Sequence, residues 1–202
     1  MKTTLIYDLG GVLIDWNPLY VFGDYFETTK QRDYFFTHIC TSAWNEEQDA
    51  GRPLAEGTEL LVRQFPEWEK AIRDYYGRWE EMLRGPISDS VALLARLRAS
   101  GTYRLYALTN WSAELFPIAL QRFDFLHWFD GRVVSGEEKT RKPFREIYER
   151  LLQRYGVAAA EAVFIDDNER NVRAAQDMGI ASIHFRNAVQ LEAELRELGI
   201  EA

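Results

Sequence analysis

With 202 residues, 47% of them hydrophobic and 28% charged, the chain can form one domain with a sizeable core, and this composition excludes global disorder. A net charge of −8 argues against nucleic-acid and polybasic membrane-binding proteins. Since no apolar run approaches the ~18 residues of a membrane span or has the pattern of a signal peptide, we expect a cytoplasmic protein without membrane or nucleic-acid partners. The single cysteine, Cys40, excludes an intrachain disulfide and a thiolate zinc cluster, and the three histidines are too scattered to predict a metal site.

Five short apolar runs along the chain predict buried strands. In chain order they cover residues 5–7, 105–108, 133–134 with their flanks, 163–165 and, as a weaker fifth run, 181–185. Helical patterns separate the later runs. Because strands that alternate with helices form parallel sheets covered on both faces, the sequence predicts an α/β fold.

Three helices are predicted in the second half of the chain. The first carries an apolar face that begins at Val91, and it stops at Gly101. A second helix is predicted to open at Pro143, which suits the first turn. Asn168 is predicted to cap a third, which runs to residue 178 and ends at Gly179.

The stretch 17–86, between the first and second strands, breaks the alternation and is rich in aromatic residues. It includes one predicted amphipathic helix with a single apolar stripe, formed by Trp68, Ile72, Tyr75, Trp79 and Met82. One crossover helix is enough to join two parallel strands, so we interpret 17–86 as an inserted helical subdomain, with 1–16 and 87–202 as the core. The alternative is a set of extra helices packed on the edge of the sheet.

Polar residues of reactive types follow four of the predicted strands. In chain order they are Asp8, then Thr109 and Asn110, then Lys142, and finally Asp166 and Asp167. Ligands bind beyond the carboxyl ends of parallel strands, so we expect these residues to line one crevice. Clustered carboxylates are costly without a cation, and oxygen ligands in a small crevice suit Mg²⁺ paired with a phosphate. Each residue taken alone also fits a helix cap, a turn or a solvated side chain, and it is their joint order that predicts a site.

In this order, the segments YDLGGVL, LTN, RKP and FIDDN resemble the four motifs of the haloacid dehalogenase superfamily. The insertion follows the first motif, where that superfamily places its helical cap, so the resemblance covers the whole chain. The opening DLGGVLIDWNP is similar to a bacterial phosphatase branch that includes sugar phosphatases. The resemblance implies a Rossmann-like core with an inserted α-helical cap. It also implies an Mg²⁺-dependent phosphatase acting on a small phosphorylated metabolite, with a sugar phosphate as the candidate, through an aspartyl-phosphate intermediate.

The resemblance further implies the roles of individual residues. Asp8 is expected to be the nucleophile that attacks phosphorus, and Thr109, with Asn110 beside it, to bind the phosphoryl oxygens. Lys142 is expected to hold Asp8 and the phosphoryl group together and to offset their charge. These roles agree with the chemistry, because a carboxylate that attacks an anionic phosphoryl group needs opposite charge close by.

The same resemblance implies a metal site formed by Asp8, the backbone carbonyl of Gly10, and Asp167 with Asp166. Which of the two adjacent aspartates contacts Mg²⁺ directly is left open. A backbone that approaches a metal and a phosphate in a tight turn favours glycine at both position 10 and position 11. Most phosphatases of the superfamily carry a second Asp two residues after the nucleophile, as general acid and base. Here that position is Gly10, so another group, a water molecule or a good leaving group has to take over that task.

The insert is expected to cover the crevice and to select the substrate. The segment TSAWNEEQDAGRPL predicts helix, turn and helix with Gly51 in the turn, and Trp44, Asp49 and Arg52 are candidates to face the site. The alternative for Trp44 is simple core packing.

Three other functions remain open at this point. A metal-independent 2-haloacid dehalogenase shares the fold and lacks the second Asp, but FIDDN keeps two carboxylates where such enzymes carry Ser and Asn types. A signalling receiver also binds Mg²⁺ with acidic residues, but in the opposite chain order. A non-catalytic phosphate-binding relative is compatible with Gly10. The sequence leaves the physiological substrate and the oligomeric state open.

Overall fold

The computed structural model describes residues 3–201 and has a parallel sheet at its centre. Its strands are β1 (Thr4–Tyr7), β2 (Ile14–Trp16), β3 (Leu83–Pro86), β4 (Arg104–Thr109), β5 (Gly131–Val134), β6 (Ala162–Asp166) and β7 (Ala181–His184). Five of them form the sheet in the order β5-β4-β1-β6-β7, and every pair is parallel. All five predicted strands are therefore confirmed.

Helices cover both faces of this sheet. They are α1 (Leu19–Phe22), α2 (Thr29–Tyr34), α3 (Ser42–Asp49), α4 (Leu54–Gln64), α5 (Glu69–Gly77), α6 (Ser88–Ala99), α7 (Phe116–Arg122), α8 (Ser135–Glu138), α9 (Arg145–Tyr155), α10 (Glu169–Gln176) and α11 (Ala188–Glu197). Side chains alternate along β1, so Leu5 and Tyr7 pack into one apolar cluster and Ile6 into the other. This two-sided burial gives the α/β, Rossmann-like fold that the sequence predicts. Among residues 3–201, no helix is long and apolar enough to cross a bilayer.

The helix boundaries agree with the predictions in part. Asn168 caps α10, since its Oδ1 accepts a hydrogen bond from the backbone N–H of Arg170 at 3.0 Å. The prediction that Pro143 opens a helix is wrong, because α9 begins only at Arg145. Phe144 is extended (φ −66°, ψ 137°), and it separates Pro143 from the helix. α10 ends at Gln176, two residues earlier than predicted, and a turn leads on to Gly179.

Residues 17–86, called the helical segment below, follow β2, contain α1 to α5 and end with β3. These two strands pair antiparallel as a separate ladder, with Ile14 opposite Pro86 and Asp15 opposite Gly85. This ladder was not predicted because neither of its short strands, IDW and LRGP, is an apolar run. α3 and α4 form the predicted helix, turn and helix, and Gly51 lies in the turn with φ +99°.

The prediction of a single amphipathic helix near the end of the helical segment is wrong. The apolar stripe is divided among a 3₁₀ turn (Pro66–Trp68), α5 and a second 3₁₀ turn (Trp79–Met82). Gly77 closes α5, and Arg78 leaves helical geometry at φ −118°, which interrupts the α-helical hydrogen bonding. The stripe is still mostly buried, because the turns keep the side chains of Trp79 and Met82 on the inner side.

Candidate active site

The sheet brings the predicted strand-end residues to one edge. β1 lies between β4 and β6, with Tyr7 opposite both Ala107 and Ile165. Asp8 follows directly, and its backbone N–H donates to the carbonyl of Ile165 at 2.8 Å. Because the three strands run in the same direction, Thr109 at the end of β4 and Asp166 at the end of β6 reach the same edge as Asp8.

Lys142 enters this edge from the loop before α9, and its side chain is completely buried. Its Nζ donates to Asp166 Oδ2 at 2.7 Å, to Asp8 Oδ1 at 2.9 Å and to the carbonyl of Leu108 at 2.9 Å. These three acceptors match the three hydrogens of an ammonium group. Burial lowers the pKa of Lys142, but the charges of Asp166 and Asp8 outweigh that effect and raise it, so the group stays charged.

Asp166 is buried, and protein donors occupy both of its carboxylate oxygens. Oδ1 accepts from the backbone N–H of Asn168 at 2.8 Å, and the side-chain amide of Asn171 donates to both oxygens at 3.1 Å. Oδ2 also accepts a hydrogen bond from Nζ of Lys142. Asn171 was not predicted as a site residue, because it lies on α10, where the hydrophobic pattern gives no sign of a buried amide.

Three carboxylates meet at this edge. Oxygen atoms of Asp8, Asp166 and Asp167 all lie within 4.8 Å of one another, and Asp167 is the exposed member. Burial raises the pKa of Asp8 to about 8, against the lowering effect of Lys142, and the charges of Asp166 and Asp167 add to the rise. Three oxygen donors with a single ammonium group for compensation therefore fit a divalent cation such as Mg²⁺.

The two glycines after Asp8, Gly10 and Gly11, differ in backbone conformation and in surroundings, although the sequence predicted that both positions favour glycine. Gly11 has φ +72°, and a Cβ at this position would overlap the carboxylate of Asp167. Gly10 has no such φ, and a Cβ there would meet no atom within 4 Å. Gly11 is required by the backbone and by the close approach of Asp167, whereas the expectation for Gly10, which concerns the approach of a metal and a phosphate, stays a prediction.

Thr109 and Asn110 end β4 beside this cluster. Thr109 is buried. The amide of Asn110 donates to the carbonyl of Lys142 at 3.0 Å, and its oxygen accepts the backbone N–H of Lys142 at 2.8 Å. The Asn110 side chain therefore holds the loop that carries Lys142.

A cavity of about 90 Å³ lies between this edge and the helical segment. Four of its nine lining residues are aromatic, and the wall consists of Gly10, Trp16, Asn45, Asp49, Tyr76, Trp79, Asn110, Trp111 and Leu115. The rings of Trp79 and Trp111 face each other edge to face, with centroids 5.6 Å apart. Trp16 and Trp111 were missed as lining residues because they lie outside the helical segment, in separate parts of the chain.

Of the three residues of the helical segment predicted to face the site, Asp49 lines the cavity and the other two do not. Trp44 is buried, and its indole N–H donates to the carbonyl of Gly57 at 3.0 Å, as its alternative role in core packing requires. Arg52 donates to Gln48 and to the carbonyl of Trp44.

Ion pairs and hydrogen bonds fix α3 against the core. Glu46 forms ion pairs with Arg141 at 2.8 Å and with Arg170 at 2.5 Å. The hydroxyl of Ser135 donates to the carbonyl of Asp49 at the end of α3. The position of Asp49 relative to the sheet edge is therefore set by the ion pairs of Glu46, one turn earlier, and by the hydrogen bond to its own carbonyl.

This arrangement agrees with comparisons to known proteins. A sesquiterpene phosphatase of Aspergillus oryzae is 30% identical over 193 residues, which cover 96% of this chain and 94% of that protein. A phosphorylated carbohydrates phosphatase of Thermotoga maritima is 26% identical over 89% of this chain and 83% of its own length. The fold is similar to that of a HAD family enzyme from Bacteroides thetaiotaomicron, solved as a magnesium complex, with a TM-score of 0.73 and 21% identity over 96% of this chain and 98% of that one.

The resemblance to the superfamily, inferred from the four motifs, and to its phosphatase branch, inferred from the opening segment, is thus confirmed, as is the expectation of a hydrolase. The family profile of haloacid dehalogenase-like hydrolases matches residues 2–179, nearly the whole chain. With this match and the relatives above, the chain belongs to the haloacid dehalogenase-like hydrolases.

Proposed function

We propose that this enzyme is an Mg²⁺-dependent phosphatase that hydrolyses a small phosphorylated metabolite through an aspartyl-phosphate, with residues 17–86 acting as its cap. The observation that carries the proposal is the buried ammonium of Lys142, held between Asp8 and Asp166 beside a third carboxylate. A structural ion pair needs no third carboxylate, whereas phosphoryl transfer needs a nucleophile and positive charge at the same point.

In this mechanism, an oxygen of Asp8 attacks phosphorus and the bond from phosphorus to the ester oxygen breaks. Lys142 lowers the pKa of Asp8 and orients its carboxylate, and its charge offsets the negative charge that gathers on the phosphoryl group. Thr109, with Asn110, binds the phosphoryl oxygens. Water then attacks the phosphorus of the aspartyl-phosphate, which releases orthophosphate and restores Asp8. Bound Mg²⁺ would neutralise the phosphoryl oxygens.

The contacts of Asp166 suggest how the metal ligands divide their tasks. Both of its oxygens already accept hydrogen bonds from the protein. Asp167 is exposed and lies against Gly11 in the turn after Asp8. We therefore assign Asp8, Asp167 and the carbonyl of Gly10 as direct ligands, with Asp166 contributing its charge and fixing Lys142.

The cavity wall supports two classes of leaving group. A sugar ring stacks on indole faces and needs polar partners, which Asn45 and Asp49 provide. An apolar alcohol fits the same tryptophans without those partners, and a sesquiterpene phosphatase is among the relatives. We propose a sugar phosphate as the first candidate and the phosphate of an apolar alcohol as the second.

The test is release of orthophosphate from a panel of hexose phosphates and short isoprenyl monophosphates, with Mg²⁺ or with excess EDTA. We expect hydrolysis with Mg²⁺, loss in EDTA and recovery when Mg²⁺ is restored. Asp8→Asn serves as the control, because an amide is a poor nucleophile, and it should lower turnover by about 10⁴-fold or more.

Full activity in excess EDTA would contradict the metal-dependent mechanism. Halide release from 2-chloropropionate under those conditions would favour the dehalogenase alternative.

A further inference from the structure

Breaking a phosphate ester leaves an alkoxide, which needs a proton. Among the described residues of the sheet edge, the acidic side chains all have another role, since Asp167 is a proposed metal ligand and both oxygens of Asp166 accept hydrogen bonds. Asp8 acts as the nucleophile. The ammonium group of Lys142 donates its three hydrogens to Asp8, Asp166 and the carbonyl of Leu108. Gly10, where a second carboxylic acid would stand, has no side chain. The proton donor therefore has to come from another part of the cavity wall.

Among the described residues, two side chains of the cavity wall titrate, Asp49 and Tyr76. The hydroxyl of Tyr76 donates to Asn45 Oδ1 at 3.0 Å and accepts from Gln48 at 3.0 Å. Burial also raises the pKa of Tyr76 far above its usual range. The Tyr76 hydroxyl is therefore a weak acid whose proton is already donated to Asn45. Asp49, the carboxyl group of this wall, remains as the candidate donor.

We propose that Asp49, from the helical segment, is the proton donor for the leaving group, in place of the acid that Gly10 cannot supply. This inference rests on the proposed phosphatase function. As the bond from phosphorus to the ester oxygen breaks, the proton of the Asp49 carboxylic acid moves to that oxygen and forms the alcohol. In the second step, the Asp49 carboxylate takes a proton from the water that attacks the aspartyl-phosphate, which returns Asp49 to its acid form.

The surroundings of Asp49 suit a group that both gives and takes a proton. Its Oδ2 accepts from the side chain of Asn45 at 3.0 Å. Burial raises the pKa of Asp49 to about 7, and the charge of Glu46 adds to the rise. The charge of Arg141, the backbone N–H of Ser112 and the charge of Lys142 act in the opposite direction. A pKa near the working pH is the most effective value for acid and base catalysis.

The test uses two substrates that present the same kind of ring to the cavity but differ in the leaving group. Benzyl phosphate releases an alkoxide, which needs the proton, and 4-nitrophenyl phosphate releases a stable phenolate, which does not. With Mg²⁺ present, Asp49→Asn should lower kcat/KM for benzyl phosphate by about 10² to 10⁴-fold. For 4-nitrophenyl phosphate, kcat/KM should stay within about tenfold of the native value, which would also show that the variant is folded.

Two further measurements sharpen the test. The kcat/KM of the native enzyme for benzyl phosphate should decline above about pH 7, as Asp49 loses its proton, and Asp49→Asn should lack that decline. Because a side chain at Gly10 would meet open space, the double variant Gly10→Asp, Asp49→Asn should recover part of the lost rate. Glu47→Gln, at an exposed carboxylate of the same helix, is the matched control and should not change either rate.

An equal loss with both substrates would mean that Asp49 only holds the structure, and it would overturn the inference. Unchanged hydrolysis of benzyl phosphate by Asp49→Asn would overturn it as well. A native enzyme that hydrolyses neither ester with Mg²⁺ would instead contradict the proposed phosphatase function.

Discussion

At the sheet edge, short hydrogen bonds with fixed partners hold the side chains of Asn110, Lys142 and Asp166, as in the three contacts of Lys142. On the other side of the cavity, the helical segment is held mainly by contacts between rings. Phe22 alone lies within 6.1 Å, centroid to centroid, of five aromatic rings, those of Tyr25, Phe26, Phe35, Phe36 and Tyr75.

The difference shows how the molecule separates two requirements. Phosphoryl transfer tolerates little displacement of charges, and directional hydrogen bonds fix them within a narrow geometry. Ring packing is less directional and tolerates substitutions that conserve volume. We therefore expect substitutions at the sheet edge to have much larger effects than those at its contacts with the helical segment.

The largest effect is expected for Lys142→Met. The substitution keeps an unbranched side chain but leaves Asp8 and Asp166 buried together without a counter-charge. Turnover of 4-nitrophenyl phosphate should fall by roughly 10² to 10³-fold. The free energy of unfolding should fall by about 3–5 kcal/mol, because one partner of a buried ion pair is removed.

Urea denaturation and steady-state kinetics measure both quantities. The matched control is Lys30→Met, at an exposed lysine of the helical segment, which should leave both unchanged. If Lys142→Met kept turnover within about tenfold of the native value, the reaction at the sheet edge would not depend on the charge of Lys142.

An intermediate effect is expected from the adjacent glycines, which provide a matched pair. Gly11→Ala places a Cβ in the left-handed region at φ +72° and against Asp167. It should cost about 1–2 kcal/mol of stability and raise the Mg²⁺ concentration needed for half-maximal activity, since the Asp167 carboxylate has to move.

Gly10→Ala meets open space and should change the stability by no more than about 0.5 kcal/mol. Urea denaturation and Mg²⁺ titration of the two variants give the comparison. Equal destabilisation by both would show that the turn does not distinguish its two glycines.

The smallest effect is expected where the two regions meet. Arg141→Gln removes an ion pair between Arg141 and Glu46, while Arg170 still binds Glu46. The loss of stability should be about 1 kcal/mol or less, because Arg170 still provides a counter-charge for Glu46. KM should rise because α3 loses one of its contacts with the core.

The same variant tests the electrostatics of Asp49. Arg141 lowers the pKa of Asp49, so its removal should raise that pKa. The decline of kcat/KM for benzyl phosphate should then move to higher pH, and a shift to lower pH would show that another group causes the decline.

The sheet and its edge were predictable from the sequence because topology determines them. A buried parallel strand is a short apolar run, and whatever follows it lies at the carboxyl edge, so Asp8, Thr109 and Asp166 could be placed together without knowledge of packing. Lys142 follows a strand less directly, and its motif located it although the predicted helix start at Pro143 was wrong.

The cavity wall was not predictable in the same way. Trp16, Trp79 and Trp111 meet only because the helical segment folds back over the sheet, and nothing in their spacing indicates that contact. Asn171 and the β2–β3 ladder were missed for related reasons. A buried amide looks like any polar residue of a helix, and a strand of three residues is too short to show alternation.

The β2–β3 ladder affects how proteins of this fold can differ in the segment inserted between the two strands. Paired antiparallel strands lie about 4.5–5.5 Å apart, so the chain leaves the core and returns to it at a single point. The register of β1 with β4 and β6 therefore does not depend on the length or content of what lies between Trp16 and Leu83. An insert of different size can be exchanged at this junction, as domain insertions are when the termini lie close together. Such an exchange would change the choice of leaving group and the proton donor together, while the phosphoryl-binding edge stays as it is.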